Sequence, residues 1–568
     1  MSVGSFVFML HSHLPYYRKA GMWPFGEENL YECMAHSYIP ILNAVNELLN
    51  EGIKAKLTIG LTPILAEQLN DEHLKQGFVS YIDARIKAAQ EDINRYPNDS
   101  VAHSQHLEYL AKYYFNWFSE IKNSFNKYNR DLIGEFRRLQ DLGAIEITTS
   151  AATHGFLPLL SKDSSLNAQL KTGVEAYKKM FGRKPRGAWM PECAYRPGYE
   201  ATAPDGSKYY RPAIEVSLQN NEIEYVFVES HQIEGGVSVG STRSIGIYGN
   251  IEYIPLPARE STGLTTYEAY WMSEAKVAVM GRNHEGGYQV WSAADGYPGD
   301  GCYREFHKKD DNSGLHYWRI TSSASGLGEK MLYDPVLAMS RINENSDHYT
   351  NFLYHRLNDY KKATGKEGLV MVSFDTELYG HWWFEGVEFI KQTIKKMDKT
   401  VKRQTASEYL DANQPTAAVQ LPESSWGQGG HFWVWQNHQT EWMWPIIHGA
   451  ERRVESIVSK YPTIPQNKVL HRALNQMVRE NLLLQSSDWP FLVTTWQARD
   501  YAVERFRKHQ ENFENLARMI ETNSIDEGYL QNLESIDNAF ADIDYRVFTQ
   551  IGEGTLPQAT EQLMPLYL

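Results

Sequence analysis

Short apolar runs recur along the chain, and most of them are followed by polar segments or by segments that contain glycine or proline. Seven of these runs predict β-strands: Ser5–Met9, Lys56–Leu61, Ala144–Thr149, Gly187–Met190, Ile223–Val228, Lys276–Met280 and Leu369–Phe374. Stretches with helical periodicity, such as Ile41–Asn50 and Ser124–Leu142, lie between most of them. Because strands that alternate with helices form parallel sheets with right-handed crossovers, the pattern predicts an α/β fold, an incomplete (β/α)7 barrel.

Two other parts of the chain have different patterns. The segment of about 204–267 is richer in Gly, Ser and Tyr around its one clear strand, which predicts an inserted subdomain or a mobile loop. Beyond about residue 402 the strand pattern fades, and helical patterns cover Glu441–Arg453, Val469–Gln485 and Ala498–Ile520. We therefore expect a catalytic barrel over residues 1–401, interrupted by this insertion, and a helical C-terminal domain over residues 402–568.

The composition narrows the class of protein. A formal charge of −14 without a run of basic residues makes nucleic acid an unexpected partner, and no apolar run reaches the length of about eighteen residues that a membrane helix needs. The three cysteines are far apart and no signal-peptide pattern precedes the first strand, so we expect a cytoplasmic protein. The 15 Trp, 35 Tyr and 22 Phe include several beside Gly, Asn, His and carboxylates, where flat rings suit sugar rings.

Two carboxylates stand at the ends of predicted strands. Glu192 follows the fourth strand and Asp375 follows the seventh, on the face where barrel enzymes hold their chemistry. Glycosyl transfer needs such a pair, one to attack the anomeric carbon and one to protonate the leaving oxygen. The alternative is that each carboxylate caps a helix or forms an ion pair. Glu377 competes for the role of the acid, since it would share a face with Asp375 if the strand continued.

Histidines and tryptophans accompany these carboxylates. His11 and His13 lie two residues apart after the first strand, a spacing that also suits a metal pair, but no further ligand motif accompanies them. We therefore predict neither a metal nor an organic cofactor. Trp433 and Trp435 alternate after a glycine-rich stretch, and this favours one ring at a groove and the other in the core, with packing alone as the alternative.

The order of these motifs resembles glycoside hydrolase family 57 and, within it, the α-glucan branching enzymes. The resemblance rests on His11-x-His13-Leu-Pro, Ala152-Thr-His154-Gly-Phe-Leu-Pro158, Trp189-x-Pro-Glu192-Cys-Ala-Tyr195, Gly296-Tyr-Pro-Gly-Asp-Gly-x-Tyr-Arg-Glu-Phe-His307, Phe374-Asp375-Thr-Glu-Leu-Tyr-Gly-His381-Trp-Trp383, Trp426-Gly-Gln-Gly-Gly and Ser487-Asp488-Trp489-Pro. The segments that begin at Gly296, Trp426 and Ser487 favour the branching enzymes over the amylases and glucanotransferases of the family.

The resemblance implies a (β/α)7 barrel, a helical C-terminal domain and a retaining mechanism without metal, with Glu192 as nucleophile and Asp375 as acid/base. It implies glucan contacts at His11, His154, Trp189, Trp291, Trp426, Trp435 and Asp488, and the same motifs make His13 and His381 further candidates. It also implies a loop tyrosine between the two carboxylates, for which Tyr248 is the first candidate and Tyr253 the second.

The expected partner is an α-1,4-glucan such as amylose, glycogen or a starch-like polymer. If the pair retains configuration, its carboxyl groups should lie about 5–5.5 Å apart. Three alternatives stay open: hydrolysis or 4-α-glucan transfer on the same scaffold, a metal-dependent deacetylase-like barrel, and a glucan-binding protein without catalysis.

Overall fold

A computed structural model of the protein describes residues 2–98, 102–202, 206–235, 260–292 and 296–549. Its strands are β1 (Gly4–Ser12), β2 (Leu57–Leu61), β3 (Ile145–Ser150), β4 (Gly187–Trp189), β5 (Tyr199–Thr202), β6 (Lys208–Arg211), β7 (Tyr225–Val228), β8 (Ala269–Met272), β9 (Ala278–Gly281), β10 (Gly368–Asp375), β11 (Val401–Arg403) and β12 (Ala418–Val419).

The helices lie between and after these strands. They are α1 (Glu27–Cys33), α2 (Ile39–Asn50), α3 (Pro63–Asn70), α4 (Glu72–Arg95), α5 (Ser104–Lys127), α6 (Leu132–Asp141), α7 (Asp163–Phe181), α8 (Ile214–Asn220), α9 (Ser230–Glu234), α10 (His284–Trp291), α11 (Pro335–Thr364), α12 (Gly386–Lys396), α13 (Ala406–Ala412), α14 (Met443–Val458), α15 (Lys468–Leu484), α16 (Asp488–Thr495), α17 (Arg499–Glu521) and α18 (Glu527–Ile536).

Seven parallel strands form the curved wall of an incomplete barrel. Their order is β10-β1-β2-β3-β4-β7-β9, and each corresponds to one of the seven apolar runs. Beyond β9 the sheet continues through the antiparallel β8 and then β12. Helix α10 packs against β10, and the Asn283 N–H just before it donates to the Met371 carbonyl at 2.7 Å. The predicted incomplete (β/α)7 barrel is therefore confirmed.

The two faces of β1 show how the sequence builds the barrel. All nine residues of β1 are buried, as expected for a parallel strand that is covered on both sides. Phe8 and Leu10 pack outward in the large cluster that includes the helices, whereas Val7 and Met9 belong to a smaller cluster with Met371. Because side chains alternate along a strand, the residue that follows Val7 and Met9 on the inner face is His11.

One helical prediction is wrong in detail. The stretch Ser124–Leu142 is not one helix, because α5 ends at Lys127 and α6 begins at Leu132. Asn129 and Arg130 between them adopt left-handed backbone angles, with φ of 55° and 59°. The Asp131 carboxylate then accepts a hydrogen bond from the Gly134 N–H and starts α6 as its cap.

The C-terminal region is helical, as predicted. Helices α14, α15 and α17 cover the three periodic stretches, and α15 and α17 pack together through residues such as Leu474 and Phe513. The last two strands, β11 and β12, belong to the large sheet although they lie at and after residue 401. The boundary between the two domains stays a prediction. None of the described helices combines the length and the apolar composition that crossing a membrane requires.

Candidate active site

The inner faces of β1 and β10 end in polar side chains at the same level. His11 and Asp375 are paired residues in the register of these two neighbouring strands. Asp375 continues the inner face that carries Leu369 and Met371, by the same alternation that places His11. The strand ends therefore bring a histidine and a carboxylate to the mouth of the barrel.

Glu192 lies on a strained turn directly after β4. Its φ is 62° and that of Cys193 is 49°, both in the left-handed region that is unfavourable for residues with a side chain. Such strain persists where surrounding contacts hold it, and here they come from the segment after residue 423. The Ser424 N–H donates to the Tyr195 carbonyl at 3.1 Å, and the Tyr195 N–H donates to the Ser424 carbonyl at 2.8 Å.

Trp426 holds the carboxyl group of Glu192 directly. Its indole Nε1–H donates to Glu192 Oε2 at 2.6 Å, and its backbone N–H donates to the Glu192 carbonyl at 2.9 Å. Beneath this loop lies Trp435, which a side chain at Gly427 would meet at 2.6 Å. The sequence predicts Trp426 as a glucan contact, and in the structure it also orients the predicted nucleophile.

Three histidines stack beside Glu192. The rings of His13 and His154 lie 3.8 Å apart, and the Nε2 atoms of His11 and His154 are 3.2 Å apart. His154 Nδ1 is 2.9 Å from Ser487 Oγ and 3.6 Å from Glu192 Oε1. Burial lowers the pKa of His11 and His154 well below the usual value, and neighbouring histidines add to this. These two imidazoles are therefore neutral hydrogen-bonding groups at neutral pH.

The C-terminal region reaches this cluster through Asp488, the first residue of α16. Its Oδ1 is 2.9 Å from His13 Nε2, and its Oδ2 accepts a hydrogen bond from Ser486 Oγ at 2.6 Å. His13 Nδ1 is 3.1 Å from Thr62 Oγ1 after β2. The predicted contacts His13 and Asp488 thus form a pair between the barrel and the helical region.

Two of the predicted aromatic contacts lie in the core. Trp189 is 0% exposed, and its ring stacks on His11 with centroids 4.7 Å apart. Trp435 is 1% exposed and packs on Phe156 at 4.5 Å, while Trp433 is 8% exposed. The expectation that one of the alternating tryptophans faces a groove is therefore wrong. Trp189 and Trp435 are fully buried, as His11 and His154 are, and their predicted contacts with a glucan stay a prediction.

The strand that carries Asp375 ends there, which separates it from Glu377. Residues 376–378 form a 3-10 turn, so the strand does not continue to Glu377. Glu377 Oε1 instead accepts hydrogen bonds from the Tyr38 hydroxyl at 2.5 Å and from the His13 N–H at 3.3 Å. Glu377 is thereby held by neighbouring protein groups.

Burial raises the pKa of all three carboxyl groups. The pKa of Glu192 rises to about 8, with Asp375 and Asp488 adding to the effect of burial and the Trp426 hydrogen bond opposing it. The pKa of Asp375 rises to about 6 because burial outweighs the charges of Arg282 and His13, and that of Glu377 rises to about 8. The charge of Asp375 therefore contributes to the raised pKa of Glu192, although burial is the largest cause.

Two of the remaining candidates, Trp291 and His381, lie outside this cluster. Trp291 is 37% exposed at the end of α10, with its ring 6.4 Å from that of Phe374. His381 packs 5.3 Å from Phe306, and burial lowers its pKa to about 4. Tyr248 and Tyr253 lie in residues 236–259, outside the described residues.

The structure adds a buried ion pair that sequence reasoning missed. Arg282 follows β9 and Glu229 follows β7, and the two side chains pair with each other. Each directly follows a predicted strand, so its position carried the same information that singled out Glu192. The described residues include one group whose side-chain atoms lie close enough together to hold a metal ion. It consists of Glu480, His509 and Asp537, in and after the C-terminal helices.

Comparisons with known proteins agree with this architecture. The family model of glycosyl hydrolase family 57 matches residues 7–422, and the model of the 1,4-alpha-glucan branching enzyme C-terminal region matches residues 446–548. A 1,4-alpha-glucan branching enzyme of Thermococcus kodakarensis is 42% identical over 543 residues, which cover 94% of this chain and 77% of that protein. A probable branching enzyme of Mycobacterium tuberculosis is 27% identical over 89% of this chain and 90% of that protein.

Solved structures are similar over the whole chain. A branching enzyme from Pyrococcus horikoshii is 38% identical with a TM-score of 0.85, covering 100% of both chains. An α-amylase from Thermotoga maritima is 30% identical with a TM-score of 0.81, covering 97% of this chain and 100% of that one. From the family model and these relatives, we conclude that this chain belongs to glycosyl hydrolase family 57.

Proposed function

We propose that this protein is a retaining 1,4-α-glucan branching enzyme, with Glu192 as nucleophile and Asp375 as acid/base. The observation that carries the proposal is the pair of carboxyl groups at the barrel mouth. Strand β4, before Glu192, and strand β10, which ends in Asp375, are separated in the sheet by β1, β2 and β3. The charge of Asp375 raises the pKa of Glu192, so the two groups interact across the mouth.

The first step breaks an α-1,4 bond. The Glu192 carboxylate attacks the anomeric carbon while Asp375 gives its proton to the departing glycosidic oxygen, leaving a glucosyl ester on Glu192. The Trp426 hydrogen bond favours the ionised form of Glu192, since an N–H donor stabilises a carboxylate. The neutral His11 and His154 are suited to sugar hydroxyls, because a neutral imidazole both donates and accepts hydrogen bonds.

The second step forms an α-1,6 bond. The 6-hydroxyl of another glucan chain attacks the anomeric carbon of the glucosyl ester and passes its proton to the Asp375 carboxylate; the bond from that carbon to Glu192 breaks, which releases the Glu192 carboxylate and restores the acid. Water in place of that hydroxyl gives hydrolysis. The match of residues 446–548 to the branching-enzyme C-terminal model supports branching, while the similarity to the Thermotoga maritima protein makes α-amylase activity the second candidate.

The experiment that tests the proposal is incubation with amylose, followed by enzymatic debranching and chain-length analysis. We expect new α-1,6 linkages to accumulate with few new reducing ends. New reducing ends without α-1,6 linkages would identify an amylase, and new long α-1,4 chains would identify a 4-α-glucanotransferase. Activity that is lost in a chelator and returns with zinc or manganese would favour a metal-dependent deacetylase-like enzyme.

The choice between transfer and hydrolysis depends on how well water is excluded from the ester. We propose that Tyr248, in the glycine-rich segment 235–250, shields this intermediate. Tyr248→Ala should then reduce branching far more than it reduces the release of reducing ends from the same amylose. An equal fall in both activities would make the residue structural, and no change would move the role to Tyr253 or elsewhere.

We also propose that the enzyme acts in the cytoplasm on amylose- or glycogen-like polymers, in the synthesis of glycogen or a similar store. The free thiols of Cys33, Cys193 and Cys302 fit a reducing compartment. The separate matches to residues 7–422 and 446–548 support a catalytic region and a C-terminal region, with the first region ending about twenty residues after the proposed boundary at residue 401. Limited proteolysis that cuts between the two matched regions and leaves both fragments folded would test that division.

A further inference from the structure

The buried ion pair of Glu229 and Arg282 lies at the ends of β7 and β9, the two strands that follow β4 in the order of the sheet. Glu229 is 1% exposed and Arg282 is 5% exposed. Arg282 Nε donates to Glu229 Oε1 at 3.2 Å, and its Nη2 pairs with Glu229 Oε2. The Arg282 N–H also donates to the Val228 carbonyl at 2.8 Å, so both members are anchored at the ends of β7 and β9.

Arg282 reaches both halves of the active site. Its guanidinium carbon lies 5.9 Å from the ring centroid of Trp426, the residue that donates to Glu192. Its charge also acts on Asp375 and opposes the effect of burial there. In the described residues, however, the ion pair that Arg282 forms is with Glu229 and not with Asp375.

The thiol of Cys193 lies near both the ion pair and the two catalytic carboxyl groups. Burial raises the pKa of this thiol, and four charged side chains act on it as well: Glu229, Arg282, Glu192 and Asp375. Cys193 itself belongs to the barrel-interior cluster with Met9 and Trp189. The ion pair and the catalytic carboxyl groups therefore surround the same part of the barrel interior.

Packing alone gives a weak reason for the pair. Removing two charges from water costs several kcal/mol per ion, and well-packed apolar residues often replace such a pair without loss of stability. Glu229 has a second task, because its carboxylate accepts a hydrogen bond from the Ser230 N–H and caps α9. Arg282 has no such task at a helix end, and the groups it reaches beyond Glu229 are those of the active site.

We propose that Glu229 and Arg282 are positioning residues of the active site: Glu229 holds the guanidinium under Trp426, near Asp375 but out of an ion pair with it. The inference rests on the proposed function. A direct Arg282–Asp375 ion pair would keep Asp375 ionised, and it would then have no proton for the leaving oxygen. With no cation nearby, Asp375 would bind its proton too tightly to act as the base of the second step.

Four groups face Asp375 from the surrounding elements. Arg282 after β9 and His13 after β1 favour its ionised form, while Glu192 after β4 and Glu377 in the next turn carry like charge when ionised. Removing the charge of Glu229 leaves that of Arg282 uncompensated. The protonated form of Asp375 should therefore be lost at a lower pH.

The test is the pH profile of kcat/KM on amylose for Glu229→Gln, which keeps an acceptor for the cap of α9. We expect the alkaline limb to move by about one pH unit to lower pH, so that activity on that limb falls about tenfold. Arg282→Lys should keep the alkaline limb at its wild-type position, because the charge is retained, while kcat falls because lysine cannot reproduce the contacts of the guanidinium. The double variant Glu229→Gln/Arg282→Gln should move the limb to higher pH, because the cation is gone.

A second substrate separates the acid from the rest of the site. In α-maltotriosyl fluoride the leaving group is fluoride, which needs no proton from Asp375. The alkaline limb of the pH profile for fluoride release should therefore be the same in Glu229→Gln and in the wild type. Asp163→Asn is the control, since Asp163 accepts from the buried Arg211 Nε at 2.9 Å in another arginine–carboxylate pair, and 28% of the Asp163 side chain is exposed. Its alkaline limb on amylose should equal that of the wild type.

Three outcomes would overturn the inference. One is an unshifted limb in Glu229→Gln, and another is a uniform loss at every pH, which a purely structural role would give. If the melting curve shows that Glu229→Gln does not fold, the double variant Glu229→Gln/Arg282→Gln is used instead. An alkaline limb that stays in place or moves to lower pH in the double variant is the third such outcome. A wild-type protein that neither cuts nor forms glucan linkages would instead reject the proposed function, independently of this pair.

Discussion

Among the described residues, a buried cluster in the C-terminal helices and the cluster at the barrel mouth both combine acidic and histidine side chains, and they differ in how completely the hydrogen-bonding capacity of the central glutamate is used. The helical cluster consists of Glu480, His509 and Asp537. Glu480 and His509 are 0% exposed, and His509 Nδ1 is 2.8 Å from Glu480 Oε2. Arg505 Nη2 lies 3.0 Å from His509 Nε2. Because arginine only donates, Nε2 is the acceptor, and the proton on Nδ1 is donated to Glu480.

In the cluster at the barrel mouth, the hydrogen bonds to the glutamate carboxyl group are less complete. His154 Nδ1 lies 3.6 Å from Glu192 Oε1, beyond a good hydrogen bond, and Trp426 donates to the other oxygen. Glu192 keeps 13% of its side chain exposed and holds a left-handed backbone. In the helical cluster, Gln476 and Asn512 also donate to Glu480. Glu192 Oε1 is therefore left for a ligand, whereas both carboxylate oxygens of Glu480 are engaged by neighbouring protein groups.

Perturbed pKa values therefore do not distinguish the two clusters. Burial raises the pKa of Asp537 to about 7 and lowers that of His509 to about 3, shifts as large as those of Glu192 and Asp375. Strong shifts occur at functional sites and in structural networks alike. Accessibility, unused hydrogen-bonding capacity and backbone strain at the barrel mouth are what separate the proposed active site from the helical cluster.

The largest expected effect is that of Glu192→Gln. Without a nucleophile, kcat on amylose should fall about 10⁴-fold or more, while the melting temperature stays equal or rises, because a buried carboxyl group on a strained turn has been neutralised. Kinetics and a melting curve on the same preparation measure both. Substantial activity in Glu192→Gln would remove Glu192 from the mechanism, and a large drop in stability would make its role structural.

Asp375→Asn should give the next largest loss. We expect kcat on amylose to fall about 10²–10⁴-fold, the usual contribution of a general acid. Release of fluoride from an α-maltotriosyl fluoride should fall far less, because fluoride needs no proton. An equal loss on both substrates would contradict the acid role. A crystal structure with the carboxyl groups of Glu192 and Asp375 about 9 Å apart would argue for inversion instead of retention.

Glu480→Ala should reduce stability and leave the activity of the folded enzyme unchanged, the opposite of what is expected for Glu192→Gln. Removing one partner from a buried charged network typically costs about 3–5 kcal/mol, because the remaining groups are left uncompensated. The free energy of unfolding should fall by that amount, whereas kcat per folded molecule should match the wild type. Glu534→Ala is a matched control on the protein surface, where the Arg472–Glu534 pair is partly exposed and should contribute little. Loss of kcat in folded Glu480→Ala would undermine the comparison.

The barrel was predictable because its seven strands are apolar runs, buried on both faces, that stand out locally. The break between α5 and α6 was not, since Asn129 and Arg130 enter left-handed angles without a glycine or proline to mark the turn. Glu192 and Asp375 could be singled out by their positions at strand ends. The predicted barrel also made β7 and β9 neighbours, but nothing in the sequence showed that Glu229 and Arg282 at their ends are buried and pair with each other.

The helical cluster was hidden for a related reason. Its members come from α15, α17 and the segment after α18, and a polar residue within a helical stretch usually indicates a solvent-facing position. Only the packing of α15 against α17 turns Glu480 and His509 towards each other. Likewise, the burial of Trp435 follows from the loop above it, at Gly427, and not from the alternation of the two tryptophans.

The smallest expected effect is that of Asp537→Asn. Because the pKa of Asp537 is raised to about 7 in the folded protein, its protonated form is favoured there. The stability that it contributes is complete below its unfolded pKa of about 4 and is lost as the pH rises towards 7. Asparagine resembles the protonated form and does not titrate. As the pH rises from 4 to 7, the melting temperature of the variant should therefore increase relative to that of the wild type, by about 2 °C at pH 7.

The lowered pKa of His509 acts in the opposite direction, since burial keeps it neutral and its contribution is lost as the pH falls from about 6.5 to about 3. Asp537 raises the pKa of His509, which is still only about 3, so His509 stays neutral above pH 4 in both folded proteins and the difference between the two melting curves from pH 4 to 7 isolates Asp537. Its Oδ1 has no hydrogen-bond partner in the described residues, and the asparagine side chain should therefore fit without breaking a bond there. Activity on amylose should be unchanged at every pH. A difference in melting temperature that does not vary with pH would show that Asp537 is ionised in the folded protein, and a loss of activity would show that the two clusters communicate.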